Sequence, residues 1–179
     1  MNFQVTRAVV LVAGALIGIS AFAGGAADKV TGHFRHAGPV NDPGDVIYSK
    51  TISAHEAFAG RPQRGFIYAV RPDGHTWEYI DLADTSVSCV NVYGDGQARI
   101  GGLVTGGIGP GMGRFFGWEL RDNGEPAGFS DLTTTLRFDN ADDLLAWCIS
   151  GDTNWANAIW PHIVLSGNLQ VHNFNSDAD

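Results

Sequence analysis

Two tryptophans, Trp155 and Trp160, stand in the segment Gly-Asp-Thr-Asn-Trp-Ala-Asn-Ala-Ile-Trp-Pro, where no strand or helix period accounts for two large rings. Rings outside a regular element offer apolar area with a polar edge, the combination that contacts a ligand or a partner. Ligand-binding residues are therefore predicted at Trp155 and Trp160. Trp77 and Trp118 fall within strand patterns, where burial of an aromatic is the default. Glu78 with Asp81, or Glu119 with a neighbour across a sheet, could supply a general acid and a general base. Spacing alone selects none of these pairs, and no catalytic residue is assigned.

The remaining candidates each have a plainer reading. Asp122, Asn123, Glu125 and Asp131 place several oxygens near one turn, as a calcium site requires, but the spacing is not that of an EF-hand loop and each residue already suits a turn. His33 and His36 are three apart, which on a strand sends them to opposite faces, while His162 and His172 are isolated. No His-Glu-x-x-His is present, so no metal ligand is assigned. The glycine run from Gly106 to Gly113 lacks the Lys-Ser/Thr of a phosphate loop and is flanked by strands rather than a helix. It reads as a hairpin loop or a close-packing site, and no cofactor is assigned. Gly-x-Ser-x-Gly is absent as well.

These residues need elements to position them, and the pattern is that of strands. From Arg114 to Arg121, Phe116, Trp118 and Leu120 alternate with Phe115, Gly117, Glu119 and Arg121, a period of two that predicts a half-buried strand. From Asp131 to Phe138, Leu132, Thr134, Leu136 and Phe138 alternate with Asp131, Thr133, Thr135 and Arg137. Asn123-Gly124 between the two tolerates positive φ and predicts a hairpin or a wide turn. Further strands are predicted over Lys29 to Arg35, Gly65 to Val70 (covered on both faces), His75 to Leu82, Ser86 to Tyr93, Gln97 to Thr105 and Ile163 to His172. Val46 to Gly60 is ambiguous. The single predicted helix is Ala141 to Ile149, opened by Asp139 or Asn140, with Asp142 and Asp143 in its first turn where the helix dipole favours acids. Strands about ten residues apart, joined by short turns, make the fold class all-β: a single antiparallel meander, small barrel or sandwich of about eight strands with one short helix.

Arg7 followed by the apolar run to Ala21-Phe22-Ala23 reads as a secretory signal ending at residue 23, which leaves a β domain over 24–173 and a disordered tail over 174–179. The expected localisation is secreted or periplasmic, without stable membrane insertion after cleavage. In an oxidising compartment Cys89 and Cys148 are expected to pair, closing a loop worth roughly 4 kcal/mol in the chain-entropy account. The formal charge is −8, which disfavours nucleic acid and anionic membranes as partners. Lys29 and Lys50 are the only two lysines.

Lys29-Val30-Thr31-Gly32, the turn Asp122-Asn123-Gly124-Glu125-Pro126 with Asp131 after it, and Gly167-Asn168-Leu169-Gln170-Val171-His172 resemble a group of small exported bacterial proteins with the same markers in the same order. The resemblance implies a β-rich export domain and no catalytic residue. The function expected is an exported, non-catalytic β domain binding a protein partner or a small ligand. Two alternatives stand beside it: a hydrolase or isomerase using paired carboxylates in a barrel, and an envelope protein self-associating through an edge such as Lys29 to Arg35 or Ile163 to His172.

Overall fold

Along Ile47–His55 (β2), Tyr48, Lys50, Ile52 and Ala54 are buried while the residues between them are half-buried, an unbroken period of two that fixes which face looks inward. In this computed structural model the described residues are 27–37, 47–58, 60–93, 96–124, 131–150 and 161–173. The segment expected to be a signal, the expected tail, Glu125, Trp155 and Trp160 lie outside them. The other strands are Lys29–Ala37 (β1), Arg64–Val70 (β3), Thr76–Asp81 (β4), Ser88–Val92 (β5), Gln97–Gly106 (β6), Phe115–Arg121 (β7), Leu132–Thr134 (β8), Leu136–Phe138 (β9) and Pro161–His172 (β10), with one helix, Ala141–Ile149 (α1).

Eight strands follow one another as β6-β4-β3-β2-β1-β10-β8-β7, and β7 pairs back onto β6, so the antiparallel sheet is a nearly closed barrel. Its seams are short: Tyr79 meets Gly106 and Ile80 meets Val104 between β4 and β6, and only Leu120 with Thr133 and Arg121 with Leu132 join β7 to β8. From Lys29 to His36, β1 lies between β2 and β10, so it is not a free edge. The interior is filled by Val30, Phe34, Ile52, Ile67, Ile80, Val104, Trp118, Leu120 and Leu169, as expected of a ring whose lumen is only wide enough for side chains.

Beyond Ile163, the edge of β10 turned away from β1 has no strand beside it among the described residues. Aspartates take the place of one. Asp131 accepts from Leu169 N–H (3.3 Å) and from Asn123 N–H (3.0 Å), while Asp122 accepts from Val171 N–H (3.1 Å) and Gly124 N–H (2.8 Å). The turn after β7 is thereby tied to β10 by carboxylates rather than by a ladder, which satisfies backbone donors that burial would otherwise leave unpaired.

Helix α1 covers the outer face of β6 and β7. Asn140 caps it by accepting from Asp143 N–H at 2.9 Å, with Asp142 and Asp143 in the first turn. Gly101 and Gly117 face each other across the two strands. A Cβ on Gly117 would sit 2.6 Å from the Trp147 ring, and one on Gly101 2.8 Å from Leu144, so the glycines set how closely the helix approaches. At the other end of α1, Arg99 donates to Trp147 O and Ser150 Oγ, both at 2.6 Å, and Asn91 and Tyr93 donate to Cys148 O. A cation and two donors there complement the helix C-terminus. Arg99 also pairs with Glu119 at 2.7 Å with both side chains buried. The Cys89–Cys148 disulfide, with Cα atoms 6.4 Å apart, fastens the helix to β5.

Three expectations change in detail. The outer side of β7 is not solvated, because Gly117 and Glu119 are buried under α1. Gly65 to Val70 is not covered on both faces, since Phe66 is 37% exposed. The strand expected from Asp131 to Phe138 is interrupted at Thr135, although one register runs through both pieces, from Arg121 opposite Leu132 to Phe115 opposite Phe138. Its apolar side faces the helix, where Phe138 packs on Trp147 at 5.2 Å. Thr133, opposite Leu120, faces the core.

Asp131→Ala strands the N–H groups of Asn123 and Leu169 and should cost roughly 1–3 kcal/mol, read as a lower urea midpoint; Asp131→Asn, which keeps an acceptor, should cost less. Reduction of Cys89–Cys148 should lower the melting temperature by roughly 10 °C, taking about 4 kcal/mol over a domain of this size, with the loss absent in a Cys89→Ala, Cys148→Ala variant measured with and without reductant.

Candidate functional site at the aromatic end of the barrel

The two ends of the barrel interior differ in chemistry. One is apolar, lined by Val30, Ala54, Leu82, Ala98 and Leu120. It is latched by Gln63, which donates to Leu82 O (2.9 Å) and Ser88 O (3.0 Å) and accepts from Val90 N–H. At the other end β1 and β3 finish and β2, β4 and β7 begin, and that end holds charge and aromatic rings.

Lys50 occupies an inward position of β2 between Tyr48 and Ile52 and is 3% exposed. Its Nζ lies 4.5 Å from the ring centroid of Trp118 on β7. Counting either way around the ring, β7 is four strands from β2, so the lysine crosses the interior to the opposite wall. An ammonium desolvated against an indole gains about 2 kcal/mol from the ring. Among the described residues the ion pairs within 4 Å are His75 with Asp73 and Arg99 with Glu119, so Lys50 has no such partner. The Trp118 indole N–H is likewise buried without a hydrogen-bond acceptor.

Glu78 enters the same layer from β4. Register places Lys50 opposite Ala69 and Ala69 opposite Glu78, so the two charged chains flank a small residue on the inner wall. Burial lowers the Lys50 ammonium to about 7, with Glu78 opposing the shift. Burial also raises the Glu78 carboxyl above its ordinary range, with Lys50 opposing. Both groups are thus pushed toward their neutral forms, an amine and a carboxylic acid.

Further aromatic rings cluster at this end. Phe116 stacks on Trp118 at 6.3 Å, Tyr48 lies 5.9 Å from His36 and 6.2 Å from Trp77, and the Arg71 guanidinium sits 4.8 Å over Trp77. The glycine-rich loop after β6 lies across this end. Ile108 and Gly109 donate their N–H groups to Thr76 O (3.0 Å) and Trp77 O (2.9 Å). A Cβ on Gly111 would fall 2.7 Å from a Glu78 carboxyl oxygen, so glycine there lets the loop backbone rest on the carboxyl group. Ile108 and Met112 on the same loop are 64% and 49% exposed.

The residues singled out from the sequence are distributed as follows. Trp118 is in the core, whereas Trp77 is only half-buried, at the rim. Trp155 and Trp160 lie outside the described residues. Glu78 and Asp81 do not come together: Asp81 is exposed and accepts from Ala83 N–H. Glu119 lies beneath α1 with Arg99. His33 is exposed and bonded to Thr51, while His36 is buried on the opposite face. Asp122 and Asp131 accept from backbone amides at the β10 seam. Lys50 is the residue the sequence reading passed over. The available signal was a lysine on the apolar parity of Tyr48, Lys50, Ile52 and Ala54 in a chain with two lysines.

Comparison of the chain with protein-family profiles, with curated proteins and with solved structures returns no significant match. The geometry of this end is therefore what supports a functional reading.

The Lys50 shift fixes the sign of a pH effect. Between pH about 7 and 10.5 the unfolded chain carries a proton on Lys50 that the folded chain has released, so this group makes stability rise with pH over that window. Lys50→Met, of similar size and uncharged, should match or exceed wild-type stability at pH 6 to 7. Its advantage should shrink toward pH 10, as read from urea midpoints at each pH.

Proposed function

We propose that the chain is an exported, non-catalytic barrel that binds a small, largely aromatic or apolar molecule bearing a polar acceptor at its aromatic end, whose inner layer holds Trp118, Phe116 and Lys50. The observation that carries this reading is the lysine placed across the barrel interior onto Trp118, with no carboxylate within 4 Å among the described residues. A shift from 10.5 to about 7 corresponds to roughly 5 kcal/mol against the charged form, a large fraction of a domain's net stability. A leucine or methionine at that position would avoid the cost. Retained polar groups with perturbed ionisation in an otherwise apolar interior mark binding and catalytic sites.

Export rests on the signal-like segment to Ala23 together with the buried disulfide. The paired-carboxylate hydrolase finds less support, because among the described residues Glu78 is the one carboxylate that enters this layer. Association through β1 also finds little, since both its edges are paired.

Titration of the secreted protein with 2-naphthoate, an aromatic ring carrying an anionic acceptor, should quench tryptophan fluorescence saturably. Affinity should fall about tenfold, the loss of roughly one charge-assisted contact, in Lys50→Met. The quenching should be largely lost in Trp118→Phe. A response unchanged in both folded variants would remove the site from the barrel interior, and the Trp155→Ala and Trp160→Ala variants would then report on the segment before β10.

A further inference from the structure

We infer that the outer face of β10, β1, β2 and β3, with Tyr79 of β4 at its margin, is a docking surface for a linear acidic polysaccharide, a glycan whose sugar rings carry carboxylates. The inference goes beyond the interior site and does not depend on it.

Strand register lays this face out as a grid. Residues opposite one another in an antiparallel ladder point to the same side, and with Val30 and Phe34 in the core, Lys29, Thr31, His33 and Arg35 point outward. Lys29 lies opposite His172 on β10 and His55 on β2, and His55 lies opposite Arg64 on β3. Basic side chains thus form one row across these strands, spanning about 14 Å at the ordinary strand spacing. Burial, and then the charges of Arg64 and Lys29, lower the His55 imidazole from its ordinary value, so neighbours in the row act on one another. Arg35 carries positive charge along β1 to about 20 Å from Lys29.

Between these cations stand hydroxyl and amide groups. Gln170 and Ser53 flank Thr31, and Asn168 and Thr51 flank His33. Among the described residues, no outward position of this face on β10, β1, β2 or β3 carries a carboxylate, in a chain with 19 acids against 11 lysines and arginines. Asp28 and Glu56, next in sequence to Lys29 and His55, are turned off the face: Asp28 is buried, and Glu56 accepts from Val92 N–H on β5 at 3.3 Å. The first carboxylate met across the grid is Asp81 on β4, opposite Phe66, and it already accepts from Ala83 N–H.

The same rows end in aromatic rings. Ser53 lies opposite Phe66, and Thr51 lies opposite Tyr68, which in turn lies opposite Tyr79. Phe66 and Tyr79 are each 37% exposed. A uronate chain needs flat rings for the C–H faces of its sugars, polar side chains for its hydroxyl groups and cations for its carboxylates, and this face supplies all three. A single glycan chain lies within the strip, where charges more than about 8 Å away are largely screened at physiological ionic strength. A nucleic acid duplex or a membrane covers more of a surface whose total charge is −8.

Calorimetric titration of the secreted protein with oligogalacturonate, a linear uronate, and with maltooligosaccharide, a neutral glycan, tests the surface directly. Saturable binding of the uronate that weakens as salt is raised is expected, with none of the neutral glycan. Arg35→Gln combined with Arg64→Gln should weaken it about tenfold, the loss of roughly two exposed charge contacts. Arg114→Gln combined with Arg137→Gln, the same charge change at exposed positions off this face, should leave it unchanged. Phe66→Leu, which keeps apolar volume and removes the flat ring, should weaken it several-fold. Absence of uronate binding, or an equal loss in the two paired variants, overturns the assignment. So does a loss without Arg35 and Arg64 but none in Phe66→Leu, which marks a surface that reads charge alone. Tighter binding of phosphatidylglycerol vesicles or single-stranded DNA than of the uronate overturns it as well, by making another polyanion the partner.

Discussion

An eight-stranded ring has an interior only as wide as the side chains that fill it, and the rest of this structure answers to that width. A side chain on one wall reaches the opposite wall, so what stands at an inward position is in contact with residues four strands away. Lys50 on Trp118 is the clearest instance. Ala69 between Lys50 and Glu78 follows from the same limit, because a larger residue there would compete for the space the two charged chains use. The short seams at β4–β6 and β7–β8 are places where the ring closes with little ladder, and next to the second, Asp122 and Asp131 supply acceptors in place of a neighbouring strand.

Outside the ring a second, smaller core forms on the back of β6 and β7. Cys89, Leu144 and Cys148 pack there with Phe115, Phe138, Leu145 and Trp147. Gly101 and Gly117 bring the helix close, and Arg99 links the Glu119 carboxylate to the Trp147 carbonyl and the Ser150 hydroxyl at the helix C-terminus. The same strands therefore serve two cores with alternate residues: Ile100, Phe116, Trp118 and Leu120 inward, Arg99, Gly101, Gly117 and Glu119 outward. The charged pair on the outer face is bonded on both sides and structural in character. The pair on the inner face is held apart and shifted toward neutrality, and that difference in environment separates the candidate site from the scaffold.

Stability and the proposed site pull in opposite directions at Lys50. Its ammonium loses hydration and recovers only part of that loss from the indole ring and from Glu78. The apolar end, the disulfide and the helix contacts lie away from this layer. A loop of glycines over Glu78 is consistent with a backbone that must come close to the charged layer, as the approach of Gly111 shows.

Local pattern was enough to predict most of the strands, the helix with a cap at Asp139 or Asn140, and the pairing of Cys89 with Cys148, but it left β2, the strand that carries Lys50, ambiguous. Period two, capping chemistry and cysteine count are properties of adjacent or isolated residues and need no knowledge of neighbours in space. Even the interrupted strand from Leu132 to Phe138 keeps the register its alternation implied. What alternation cannot give is which of two faces looks into the barrel. The apolar side of that strand turned out to face α1, because a helix supplies a second apolar surface that a strand pattern alone does not announce. Ring closure and the meeting of Lys50 with Trp118 and Glu78 were likewise decided only by tertiary structure. They join residues from β2, β4 and β7 whose proximity depends on the number of strands in the ring, and a polar residue on an apolar parity acquires meaning only once its opposite wall is known.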